Sequence, residues 1–92
     1  MSNVRDNESK RQFEMIVDGH AALAAYRLKP GVITFTHTEV PKELGGRGIG
    51  SQLAKGALDQ ARARALKVEP LCPFIRGYIE KHPEYADLVV AE

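Results

Sequence analysis

A chain of 92 residues leaves room for one compact domain and little more. Its 43% hydrophobic and 27% charged residues belong to a globular fold, not to a disordered or fibrous one. The 13 Lys and Arg against 12 Asp and Glu leave a net charge of +1, without the basic excess of a general nucleic-acid binder. No apolar run reaches the ~20 residues that span a bilayer.

The opening "MSNVRDNESKRQ" is polar and lacks the apolar centre of a signal peptide. Residues 1–10 are expected to form a flexible polar tail, followed by a single domain over residues 11–92. The single cysteine, Cys72, excludes an intrachain disulfide and fits a reducing, cytoplasmic setting. His20, His37 and His82 are far apart in sequence, so no metal-ligand spacing exists and no metal is expected.

From residue 11 the pattern changes. Phe13, Met15 and Val17 alternate with Gln12, Glu14 and Asp18, which predicts a strand. Asp18-Gly19 follows as a two-residue hairpin turn. "HAALAAYRL" reads as a second strand with small side chains, although its alanines also suit a short helix. Lys29-Pro30-Gly31 makes the next tight turn. "VITFTHTEV", residues 32–40, is the clearest strand and completes an antiparallel meander. Strict alternation puts Ile33, Phe35, His37 and Glu39 on one face and Val32, Thr34, Thr36, Thr38 and Val40 on the other.

Next comes "ELGGRGIGSQL", a glycine-rich loop that runs into an amphipathic helix of ~18 residues with Ile49, Leu53, Ala57 and Ala61 at i, i+4 spacing. "LKVEPLC" predicts a short strand, parallel to the previous one because a helix crosses between them. Pro73 opens a second short helix, "PFIRGYIEKH", and a late apolar "LVV" docks or forms a last strand. The order β-β-β-α-β-α makes this an α+β domain.

The glycine loop is not a Walker loop, because Ser51-Gln52 stands where Lys-Ser/Thr is needed. It is not a dinucleotide fingerprint either, because Ser51 replaces the third glycine. What remains is a strand end, mobile backbone and a helix start, whose free N–H groups and positive dipole end attract anions. A phosphate or pyrophosphate cradle assisted by Arg47 and a plain turn both fit these residues.

After a β-strand, "GGRGIGSQL" resembles the acyl-CoA-binding motif of the GNAT superfamily of N-acetyltransferases, Arg/Gln-x-x-Gly-x-Gly/Ala at a helix start. Gly48 and Gly50 match the two small positions, and Gly45 stands where the family usually has Arg or Gln. With "HTEVP" and "LCPFIRGYIEKHPEY", the resemblance extends over residues 11–88 and is closest to minimal single-domain members.

The resemblance implies a small GNAT-like acyl-CoA N-acyltransferase fold: a three-stranded antiparallel meander, then β-α-β with a splayed parallel strand pair and a second short helix. It implies acetyl-CoA as donor, lying between strands 32–40 and 67–72. Gly45, Gly46, Arg47, Gly48, Ile49, Gly50 and Ser51 would hold the pyrophosphate, and Thr38, Glu39 and Val40 would pair with the pantetheine arm. Arg76 is either a CoA-phosphate contact or a solvated helix charge. Cys72 is an acetyl-accepting nucleophile, a group lining the thioester, or a small buried hydrophobe. His37 is a general base or a packed histidine, and Glu39 a base or an edge charge. Tyr78 is the acid for the departing thiolate or a half-buried core tyrosine. The implied activity is acetyl transfer to an amine on a small molecule or protein. A CoA-binding regulatory module with little catalysis is the alternative, no nucleic-acid or membrane partner is expected, and monomer and dimer both stay open.

Overall fold

The computed structural model describes residues 3–90, and within them one five-stranded sheet carries two helices. The strands are β1 (Arg5–Asn7), β2 (Gln12–Val17), β3 (His20–Lys29), β4 (Val32–Glu39) and β5 (Lys67–Pro70), in that spatial order. The first four are antiparallel, and β4 and β5 are parallel. Helix α1 (Ile49–Ala63) crosses between β4 and β5, and α2 (Pro73–Lys81) follows β5. The GNAT-like α+β architecture expected from the sequence is therefore present.

The turns follow their residue chemistry. Asp18 and Gly19 both take positive φ, 51° and 78°, the geometry that lets a two-residue loop match the twist of its strands. Alanines explain the closeness of helix and sheet: Ala22 and Ala24 of β3 and Ala54, Ala57 and Ala61 of α1 are all buried. Phe13, Phe35, Leu53 and Leu58 fill the space between the layers, each contributing ~1.5–3 kcal/mol by burial. Helix α1 ends three residues before the expected 66. Ala65 turns left-handed at φ 57°, and Leu66 N–H reaches back to the Ala61 carbonyl at 2.9 Å. The late apolar patch docks as expected, with Val89 bridging Val68 and Val90 N–H bonded to the Val68 carbonyl at 2.9 Å.

The expected tail needs correction. Positions 1 and 2 lie outside the described residues, but Arg5–Asn7 form β1, paired along β2, and Val4 is buried. The segment is held by distant polar partners. Asp6 accepts Tyr26 Oη at 2.5 Å and Arg64 Nη1 at 2.7 Å, and Gln60 Nε2 donates to the Val4 carbonyl at 2.9 Å. Among the described residues, both helices lie on one face of the sheet; on the other, Ile16 of β2 is 62% exposed.

Candidate functional site

The glycine loop is a geometric device at the start of α1. Leu44 anchors it in the core, and Gly46 and Gly48 take φ of 76° and 71°, where a side chain would be strained. Gly48 is the N-cap of α1. No side chain caps this helix, and its first turn has no acidic residue. The first helical bond runs from Gln52 N–H to the Gly48 carbonyl at 3.1 Å, so the N–H groups of Ile49, Gly50 and Ser51 lie ahead of it. Gly45 differs: its φ is −61°, and an added Cβ would meet only the Lys42 carbonyl, at 3.2 Å. Arg47 reaches back to the β2–β3 turn and donates to Asp18 Oδ2 at 2.8 Å.

The second half of the site is a gap in the sheet. The β4–β5 ladder ends with Phe35 opposite Pro70, and Cys72 N–H makes a last bond to the Phe35 carbonyl at 2.9 Å. Strand β4 runs on to Glu39 beside β3 alone. A bulge falls at the same place: Tyr26 pairs with Phe35 and Ala25 with His37, leaving Thr36 as the extra residue. This corrects the face assignment of residues 37–39. The extra residue reverses the alternation, so Thr38 shares the helix-covered face with Ala24, while His37 and Glu39 share the open face with Ala25 and Leu23.

The expected site residues therefore divide into two groups. On the covered side, Thr38 Oγ1 and Cys72 Sγ are 3.2 Å apart, and Cys72 is buried at the N-cap of α2. On the open side, His37 Nε2 lies 3.2 Å from Glu39 Oε2, with both side chains about 60% exposed. The bulge thus puts His37 and Cys72 on opposite faces of the sheet.

Two further residues sit elsewhere. Arg76 is exposed, and it donates to the Pro70 carbonyl from Nε at 3.3 Å and to the Leu71 carbonyl from Nη2 at 3.2 Å, so it binds the end of β5. Tyr78 lies six residues beyond Cys72, ~9 Å along the helix. Its ring stacks on His82 with centroids 3.9 Å apart, and it lines a groove shared with Ser51. Burial pushes its phenol above the ordinary tyrosine value. Sequence reasoning overlooked Phe74, which is 43% exposed and packs on the helix start so tightly that a Cβ on Gly50 would lie 2.7 Å from its ring. An exposed aromatic beside a helix start was the available signal. Asp18, the partner of Arg47, gave none beyond its turn.

A family model described as GCN5-related N-acetyl-transferase matches residues 12–88. The chain belongs to the GCN5-related N-acetyltransferase family. Its similar relatives include Protein NATD1 from Mus musculus and from Homo sapiens, each 34% identical over 83 residues; these cover 87% of this chain and 76% and 74% of the relatives. The NMR solution structure of a GCN5-like protein from Staphylococcus aureus superimposes with a TM-score of 0.72 at 32% identity, covering all of this chain and 93% of the other. In this N-acetyltransferase domain, the family motif coincides with the left-handed glycines and the uncapped start of α1. Among the described residues no group of three or more His, Cys, Asp or Glu side chains forms a metal site, and no helix is long and apolar enough to cross a membrane.

Proposed function

We propose that the domain is an acetyl-CoA-dependent N-acetyltransferase that moves the acetyl group directly from the thioester to an amine. The observation that carries this reading is the gap beside β4, which leads into a helix start with no side-chain cap. A pantetheine arm fits the gap as a missing strand, bonding to the backbone of Thr38, Glu39 and Val40. Its pyrophosphate takes the N–H groups from Gly46 to Ser51 and the positive end of α1. The exposed Arg47–Asp18 pair contributes at most ~1 kcal/mol, so Arg47 exchanges it readily for a phosphate.

The division across the sheet supports direct transfer. The amine enters from the open face and gives its proton to His37, which Glu39 orients. The amine nitrogen bonds to the acetyl carbon, and the carbonyl oxygen takes negative charge near the Val40 N–H. The carbon–sulfur bond then breaks, and the electron pair stays on sulfur, beside the Thr38 hydroxyl. Cys72 is buried against that hydroxyl with the histidine on the opposite face, so it lines the thioester and carries no acetyl group. The single cysteine fits work in a reducing compartment such as the cytoplasm.

Thermal unfolding tests the cofactor. Acetyl-CoA and CoA at 100 times their dissociation constants are expected to stabilise the protein by ~2.7 kcal/mol, with no comparable shift from ATP or NAD. No shift with millimolar CoA rejects the reading, and binding without transfer to any amine or peptide leaves a CoA-binding module. Cys72→Ala tests the direct route. Turnover is expected to stay within about tenfold of the parent, ~1.4 kcal/mol of barrier, and a loss of about a thousandfold would establish an acetyl-cysteine intermediate instead.

A further inference from the structure

Resting on the CoA reading, we infer that the groove between α1 and α2 is a subsite for the adenosine 3′-phosphate end of CoA. Phe74 offers a face for the base, and Lys81 holds the 3′-phosphate. The groove encloses a cavity of about 220 Å³ lined by Ser51, Pro73, Phe74, Gly77, Tyr78, Lys81 and His82. It begins where the cradle ends, because Ser51 carries the last free N–H of α1 and Phe74 packs on Gly50. A ligand with its pyrophosphate on the cradle presents its next group at this mouth.

The chemistry of the walls fits that group. Phe74, Tyr78 and Lys81 recur at spacings of four and three, so they form one stripe of α2 ~10 Å long. The partly exposed ring of Phe74 suits a base, because stacking accepts any π-face. Lys81 makes no ion pair among the described residues, and its ammonium is a point charge suited to a phosphate. His82 forms a wall of the groove: its ring stacks on Tyr78, and its Nδ1–H donates to the Tyr78 carbonyl at 2.8 Å. No carboxylate lines this groove. Two larger cavities differ: the one of about 490 Å³ over β2 and α1 includes Asp59, and the one of about 440 Å³ along β5 includes Glu69 and Glu80. The groove is thus the one of these three whose walls do not repel an anion.

Lys81 also sits in the last turn of α2, where a cation complements the helix dipole, so the test must separate the two roles. The full chain is titrated calorimetrically with CoA and with 3′-dephospho-CoA. The parent is expected to bind CoA about tenfold more tightly, ~1.4 kcal/mol. Lys81→Ala should abolish that preference and leave dephospho-CoA binding unchanged, whereas a dipole role would alter stability and both ligands alike. Phe74→Ala should weaken both ligands by a similar factor, with thermal unfolding confirming that each variant is folded. Equal affinities in the parent, or a preference that survives Lys81→Ala, overturn the subsite and leave the CoA reading intact. Failure of the parent to bind either ligand overturns both.

Discussion

Gly45 and Gly48 stand three residues apart in one loop and answer to different constraints. Gly48 is left-handed and caps α1, so a methyl group there costs ~1–2 kcal/mol in backbone strain. Gly45 has an ordinary φ and needs its one near neighbour to give by only a few tenths of an ångström. Gly48→Ala is therefore expected to lower the unfolding midpoint by several degrees and weaken CoA binding at least tenfold, while Gly45→Ala changes both little. Calorimetry and CoA titration check the pair; equal behaviour of the two variants would remove the special role of the left-handed cap. That contrast was only half readable beforehand, since a motif counts glycines without distinguishing their dihedrals. The faces of His37 and Thr38 were hidden for a related reason. Nothing in "VITFTHTEV" marks Thr36 as the residue that β3 skips, and one unpaired residue moves every later side chain to the other face.

At the scale of elements, periodicity found β2, β3, β4 and both helices, because each buries one apolar face against the same core. It could not find β1. Arg5–Asn7 carry no apolar alternation, and their place is fixed by Tyr26, Gln60 and Arg64, which lie 20 to 58 residues further along the chain. Asp6 is the joint: its carboxylate is 6% exposed, between a hydroxyl and a guanidinium. Asp6→Ala is expected to cost ~2 kcal/mol by leaving both donors without their acceptor. Urea unfolding measures the loss, and amide exchange should rise first along β2. A variant as stable as the parent would return the segment to the status of a tail.

Across the whole molecule, acid sensitivity is spread over several carboxylates. Burial raises the Asp59 carboxyl, but hydrogen bonds from Tyr85 and Lys55 and the charge of Lys55 outweigh it and leave the group below its ordinary value. Glu69 is lowered by Thr34 and Lys29, and Asp87 by Arg62. Each has a folded pKa below its unfolded one. The native state thus binds fewer protons, and the stability these groups supply is complete above about pH 5 and lost as pH falls through the folded values. Unfolding midpoints across that range should decline toward acid, and less steeply in Asp59→Asn; a parallel decline would assign the sensitivity elsewhere.

Arg76 has a consequence for life in a crowded solution. Val68 and Pro70 present their backbones to the outer edge of β5. The Val68 carbonyl is taken by Val90, Pro70 has no N–H, and its carbonyl is taken by Arg76. A neighbouring chain seeking to extend the sheet finds these groups already engaged. This arginine thus acts as a guard against self-templating growth, at the end of the sheet where the parallel pair would otherwise be open to it.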